Sequence, residues 1–337
     1  MKTTLLMLTC LLLSTSAIAQ TERRAAPCQE QAPQRMVWPN GSLLWGGERG
    51  SPQDETSTIL ASVDLASAQL RGASLKGLRL EQGRLSVPSL GSGSLEGTLL
   101  QGTSSTGKKV EVALCDAQPS PQDPSLLLYR IEIWNAESAT WKNPCIATRQ
   151  VPLPRALAMQ GLWDSTGAHR ADQNKFTFAC QNGAIAKCAS WGYKPWASKD
   201  GQSLAPLHQA CTRMARADYC GDGRSHTRED SPIDMYDGLQ VLTRTTEPSS
   251  VWNPASASFE AAWTPEGASC VSRTRDGQAL EKILAQCPDR FEPVAQDLGE
   301  GDHCTVRRKS TTRTSVALLR NHSYARQEPV LLNPKTP

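Results

Sequence analysis

The chain has 337 residues, with 36 Lys and Arg against 33 Asp and Glu, and a formal charge of +3 at pH 7. So small an excess gives no electrostatic case for nucleic acid or an anionic membrane surface as a partner. The length suffices for two domains of ordinary size.

The N-terminus has the three parts of an export signal. Lys2 supplies the positive start, Leu5 to Leu13 form an apolar run broken only by Thr9 and Cys10, and Ala17-Ile18-Ala19 puts small residues where a signal peptidase reads. This predicts a signal peptide over 1–19, cleavage before Gln20 and a secreted or periplasmic mature chain. The run is too short for a membrane anchor, which takes roughly 20 apolar residues. No later segment is apolar enough to span, so no transmembrane segment is expected after cleavage. Cys10 opens an alternative, lipidation, but no small residue stands just before it.

Eleven cysteines agree with export. Cys10 leaves with the signal, and Cys28, Cys115, Cys145, Cys180, Cys188, Cys211, Cys220, Cys270, Cys287 and Cys304 remain. An even number in an exported chain reads as a disulfide framework. No C-x-x-C pair supports a structural zinc site.

Residues 20–34 are polar and read as a flexible lead-in, which Cys28 can tether. Residues 35–150 read as a β-rich domain. Within it Leu60, Leu65, Leu70, Leu75, Leu80, Leu85, Leu90, Leu95 and Leu100 recur every five residues, a period of neither helix nor strand. The units Val63-Asp64-Leu65, Ala68-Gln69-Leu70 and Ala73-Ser74-Leu75 resemble the pentapeptide-repeat family, which implies a short right-handed β-helix. The alternative is a Gly/Ser-rich meander with its leucines inward, since Pro88 and Gly91-Ser92-Gly93-Ser94 read as turns. Val110 to Leu114 and Leu126 to Trp134 alternate as strands, with Tyr129, Ile131 and Ile133 on one face. Cys115 and Cys145 sit near the ends of these strands, where a bridge between them is plausible, although sequence does not assign the connectivity.

Pro152 and Pro154 mark a boundary near residue 150. Beyond it, Phe176 to Cys180 reads as a strand, Asn182-Gly183 as a turn and Ala184 to Ser190 as a short helix. The strongest helical pattern is Leu204 to Tyr219, with Leu207, Ala210, Cys211, Met214 and Ala217 on one face and Gly221 and Gly223 as the stop. Asp222 to Asp237 reads as a polar loop, Phe259 to Trp263 as a strand and Leu280 to Cys287 as a helix. Residues 306–337 read as a basic, irregular tail.

Several spaced motifs in this half occur in order: Cys180 to Cys188, Trp191-Gly192-Tyr193-Lys194-Pro195-Trp196, and Cys211 to Gly223 with the tetrad Ala217-Asp218-Tyr219-Cys220. Together with Thr227, Ile233-Asp234, Tyr236-Asp237, Glu260-Ala261-Ala262-Trp263, Gly267-Ala268 and Cys270, they resemble the ADYC-domain family, over about 160–305. That bacterial family is often exported, and it implies no activity. This chain departs from it in carrying Ser231-Pro232 before Ile233-Asp234.

The fold class expected is α+β: the β-rich domain followed by a disulfide-rich α+β module over 155–305. The densest polar cluster is Asp218, Asp222, Asp230, Asp234 and Asp237 with His226 among them. Asp218, Asp222, Asp234 and Asp237 are the candidate ligands for a hard cation such as Ca2+, although the spacing is not that of an EF-hand. The bland reading has these carboxylates capping turns and pairing with Arg213, Arg216, Arg224 and Arg228. His226 with Asp222 and Asp234 is the candidate acid–base set. His208 and Asp218, ten residues apart on one helix, are too far apart to touch. Trp191, Tyr193 and Trp196 are the candidate binding aromatics, for a glycan or a protein partner. No Gly-x-Ser-x-Gly elbow, His-Glu-x-x-His or phosphate-binding glycine loop occurs. The expectation is therefore a non-catalytic binding or surface-interaction protein. The alternatives are an extracytoplasmic hydrolase using the acidic loop 218–237, with or without a metal, and a structural envelope component.

Overall fold

The structure, a computed structural model, describes residues 25–29, 42–47, 60–91, 93–227, 231–275, 277–310 and 319–324. The export signal and its cleavage point, Cys10, Arg228 and Asp230 lie outside these residues.

Six antiparallel strands close on themselves. β1 (Leu60–Leu70), β2 (Thr98–Ser104), β3 (Lys109–Pro119), β4 (Leu127–Asn135), β5 (Ala156–Gln160) and β6 (Lys175–Cys180) each pair with the next in sequence. β6 then returns to β1 through Val63–Phe176 and Asp64–Lys175. The result is a six-stranded up-and-down barrel. Alternation aims one set of side chains inward. Val63, Leu100, Val112, Leu114, Tyr129, Ile131, Phe176 and Phe178 form its buried core.

The pairing decides the five-residue period. A β-helix stacks parallel coils, whereas every pairing here is antiparallel, so the pentapeptide-repeat resemblance does not extend to the fold. Eight of the nine leucines nonetheless pack in or against the barrel core. Leu60, Leu65, Leu85 and Leu100 are buried in its core, and Leu75, Leu80, Leu90 and Leu95 pack against it from the excursion between β1 and β2. The barrel also runs across the boundary read at residue 150, because β5 and β6 close it.

The outer face of β4 to β6 is apolar too. Leu128, Leu157, Met159 and Ala179 are covered by Leu44, Trp45 and helix α1 (Ala184–Ser190). α1 packs on α2 (Ala205–Arg216), and Cys188–Cys211 joins the two. The other side of α2 lies on a second sheet of β7 (Ile233–Asp237), β8 (Ser258–Thr264), β9 (Gly267–Val271), β10 (Phe291–Asp297), β11 (His303–Arg308) and β12 (Leu319–Ser323). The strand order is β7-β12-β8-β9-β11-β10, antiparallel throughout. Leu207, Cys211 and Met214 of α2 meet Ala261, Trp263, Ala268, Val271 and Leu319 of the sheet.

This overturns the α+β expectation. Among the described residues the helices are three, of 7, 12 and 5 residues, and the second module is organised by its six-stranded sheet. The helix read over Leu280 to Cys287 is only α3 (Leu280–Leu284). The polar loop read over 222–237 ends as β7, the edge strand of the sheet, which carries Asp234 and Asp237 on opposite faces. Within the stretch read as a basic tail, residues 306–308 belong to β11 and Leu319–Ser323 forms the strand between β7 and β8.

All ten cysteines of the expected framework are bridged: Cys28–Cys115, Cys145–Cys180, Cys188–Cys211, Cys220–Cys287 and Cys270–Cys304. Cys115 and Cys145 do not bridge each other. Cys115 takes the lead-in residue Cys28, and Cys145 takes the end of β6. Among the described residues no helix is long and apolar enough to cross a membrane.

Candidate functional site

The tetrad stands where α2 stops. Ala217 adopts left-handed geometry (φ +50°). The amides of Ala217 and Asp218 return to the carbonyls of Met214 and Arg213, which satisfies the helix end. Asp218 then organises the turn that follows. Its Oδ1 accepts from the amides of Gly221 (2.9 Å) and Asp222 (3.1 Å), and its Oδ2 from the Gly223 amide (3.0 Å) and Arg213 Nη1 (2.6 Å). Gly221, at φ +71°, lies so close to the Glu266 carbonyl that a Cβ would come within 1.8 Å of the oxygen. Only glycine fits there.

Tyr219 points into the sheet. Its ring stacks on Trp263 with centroids 5.3 Å apart. Its hydroxyl donates to Glu260 Oε1 (3.1 Å) and accepts from the Arg275 amide (2.8 Å). Glu260 is wholly buried and is also held by Arg275 Nε (3.0 Å) and Nη2 (2.9 Å) and by Asn321 Nδ2 (2.9 Å). Asn321 Oδ1 accepts from Trp263 Nε1 at 2.8 Å. Arg275 reaches back to the Met214 carbonyl, so the network ties α2, the tetrad, β8 and β12 together. Burial and the nearby Glu260 carboxylate push the Tyr219 hydroxyl well above its usual range, so it stays protonated.

The backbone of the tetrad faces the opposite way, toward arginines. Arg308 donates to the carbonyls of Tyr219 (3.0 Å), Cys220 (3.1 Å) and Ala268 (2.9 Å). Arg290 Nη1 donates to Cys220 O, and Arg213 Nε to Pro265 O at 3.0 Å. Beside them opens a hollow of about 500 Å3. Arg213, Arg290, Arg308, His169, Glu266 and Gly221 line it, with the edges of Thr166, Gln209 and Ser310. Burial foremost, then the neighbouring charge of Arg290, brings the Arg308 pKa down to about 10.

The candidate residues read from the sequence fall in several places. Asp222 accepts from the Arg224 amide and lies 3.6 Å from its Nε. Asp234 accepts from the Thr245 amide at 3.0 Å. Asp237 accepts from the amides of Leu239, Val241 and Leu242 and from the Tyr193 hydroxyl (3.0 Å). Asp234 and Asp237, three apart on β7, face opposite sides of the strand. His226 is buried with its ring 5.9 Å from that of Tyr219. His208 is buried between helices, its Nε2 donating to the Ile185 carbonyl at 3.0 Å. Of the aromatic run, Tyr193 is fully buried, while Trp191 and Trp196 are half-buried against separate cores.

Among the described residues, the one group of three metal-type ligand atoms within 4.8 Å of one another is Cys28, Cys115 and Glu132, and its sulfurs are joined in a disulfide. The aspartates thus each serve a different turn. The residues that sequence reasoning missed are Arg275, Arg290, Arg308 and Asn321, and Glu260 entered it only as part of the family motif. One signal was present: a glutamate in the otherwise apolar strand Phe259 to Trp263 demands a buried partner.

A family model described as the ADYC domain matches residues 92–277, more than half of the chain. It begins before β2 and ends after β9, so it takes in barrel strands as well as the tetrad. No curated protein and no solved structure matches the chain.

Proposed function

The chain belongs to the ADYC-domain family, and from that premise we propose that it is an extracytoplasmic recognition module, which binds a ligand or partner without turning it over. One observation carries the reading. The hollow beside the tetrad is framed by a turn that Asp218 holds through three backbone amides and Arg213, and by arginines anchored on main-chain carbonyls. A binding surface gains from such preorganisation. A hydrolytic site instead needs a base and acid directed at a common point, and His226, Asp222 and Asp234 each turn to a different neighbour. Five disulfides support an oxidising compartment.

The test pairs two assays on the oxidised mature chain. Ligand panels of acidic and neutral glycans and peptides are screened by isothermal titration, and chromogenic esters, phosphates and glycosides are screened for turnover with and without chelator. Saturable binding without turnover is expected. Chelator-sensitive turnover that falls in Asp222→Asn and Asp234→Asn replaces this reading with the hydrolase.

A further inference from the structure

We infer that the hollow beside the tetrad is an oxyanion subsite, which receives a carboxylate, sulfate or phosphate group of the ligand between Arg290, Arg308 and Arg213. The inference rests on the recognition reading and names the chemistry of that site.

Charge is the first ground. Three guanidinium side chains and one carboxylate, Glu266, line the same hollow of about 500 Å3. Asp218 offsets Arg213 at 2.6 Å. Glu266 offsets part of what remains, which leaves an excess of positive charge at Arg290 and Arg308, side by side at the open end of the β10–β11 hairpin, where Phe291 pairs with Arg308. Two guanidiniums on one concavity repel each other until an anion arrives, and their planar donor forks suit an oxyanion better than any other ligand class.

Available donors are the second ground. Arg308 is committed to carbonyls and fixed over the Phe291 ring at 5.1 Å. It supplies a positioned charge. Arg290 differs, because its side chain is exposed and only Nη1 has a partner among the described residues, the Cys220 carbonyl. Its Nε and Nη2 edge is the fork left for a ligand.

Space is the third ground. Gly221 lines the hollow, and Gly167 and Gly267 stand where a Cβ would come within 2.9 Å of Arg213 Nη1 and 2.6 Å of Arg308 Nη2. Glycine at these points lets the guanidiniums lie against the main chain and keeps the concavity open. The family's tetrad thereby gains a role on each side. Asp218 and Tyr219 lock the turn inward, and the carbonyls of Tyr219 and Cys220 anchor the arginines outward.

The experiment uses the oxidised mature chain and three probes, inorganic phosphate, sulfate and acetate. Each is titrated against chloride at constant ionic strength and followed by amide chemical shifts at Gly221, Glu266 and Ser310 and by thermal unfolding. Saturable shifts are expected for at least one probe, and the ranking of the three distinguishes a carboxylate from a sulfate or phosphate ligand. In Arg290→Gln the affinity falls at least tenfold, while Arg307→Gln, on the neighbouring strand and outside the hollow, leaves it unchanged. Should Arg290→Gln fail to fold, Arg290→Lys, which keeps the charge and loses the fork, is expected to weaken binding as well. Shifts that chloride reproduces, or an affinity indifferent to residue 290, overturn the subsite. Neutral ligands that still bind in that event leave the recognition reading standing.

Discussion

The barrel and the open sheet solve the same packing problem with different materials. The barrel closes its hydrogen-bond ring, leaves no edge, and fills its interior with Val63, Leu100, Val112, Ile131, Phe176 and Phe178. The open sheet is centred on small and aromatic residues, Ala261, Ala268, Tyr219 and Trp263, and then buries Glu260, Arg275, Asp302, Arg308, Asn321 and His322 beside them. Three of the five disulfides also fall in the second module. The closed sheet draws its arrangement chiefly from volume and alternation, with Glu132 the one buried charge on its strands among the described residues. An open sheet with a small apolar core draws its single arrangement from polar partners that must all be met together.

The largest effect that separates them comes from the Glu260–Arg275 pair. Arg275→Met leaves Glu260 buried without its bidentate partner, and such breaks cost about 3–5 kcal/mol. Ile131→Val in the barrel is expected to cost only about 1 kcal/mol. Urea unfolding of the oxidised chain, followed by Trp fluorescence, measures both. The double variant Glu260→Met/Arg275→Met sharpens the point, since replacing both charges should recover much of the loss. No recovery would mean that Tyr219 and Asn321, not the pair, are what the sheet depends on.

Acid should separate the regions next. Burial pushes His208, between α1 and α2, down to about 4. The unfolded chain takes up that proton near pH 6.5. Between those values the unfolded state binds more protons, so stability falls as pH drops from 6.5 to about 4, by about 3 kcal/mol in all. His208→Gln should remove that slope. Asp302 acts lower in the scale. Burial raises its carboxyl, but the hydrogen bonds from His322, Tyr236 and Arg320 outweigh this and hold it below its usual 3.8. Its contribution is present above 3.8 and is lost as pH falls through the folded value. The helical junction therefore loosens before the sheet does. Unfolding free energies measured at half-unit steps of pH would show a single low-pH step if His208 were not the first group to act.

How much of this was legible follows the range of each interaction. The strands Val110 to Leu114, Leu126 to Trp134, Phe176 to Cys180 and Phe259 to Trp263, and the helices at 184–190 and 205–216, were readable because alternation and three-to-four spacing are local signals. Closure of the barrel was not, because Val63 meets Phe176 across more than a hundred residues. The α+β expectation failed for the same reason. Four of the sheet strands, β7, β10, β11 and β12, are about half polar, and Leu319–Ser323 gains strand character only from the neighbours on either side. At the site, the Asp and Gly residues around the tetrad announced a tight turn. The hollow needed Arg290 and Arg308, which arrive from strands and loops seventy or more residues away.

The turn itself gives a smaller effect. Gly221→Ala forces a left-handed alanine, at roughly 1–2 kcal/mol, against a carbonyl that its Cβ would strike. We expect a loss of about 2 kcal/mol, with the barrel unaffected. Hydrogen exchange tests this locally: amides at 221–223, bonded to Asp218, should lose protection while those of β3 and β4 keep theirs. Uniform loss across both would mean that the two regions unfold as one unit.

The smallest effect uses the same chemistry in the opposite setting. Arg307 and Glu292 pair at 2.7 Å across β10 and β11, yet their side chains are 52% and 38% exposed. Arg213 and Asp218 pair at 2.6 Å with 4% and 1% exposed. Solvent screens the first pair and leaves the second its full interaction, so Glu292→Gln should change stability by less than about 1 kcal/mol, whereas Asp218→Asn removes a charge on which Arg213 and three amides converge. The exposed pair should also weaken with salt, and the buried pair should not. Salt titration of the two variants makes the distinction without any assumption about the unfolded chain. Equal salt sensitivity would place the Arg213–Asp218 pair in contact with solvent through the hollow that Arg213 lines.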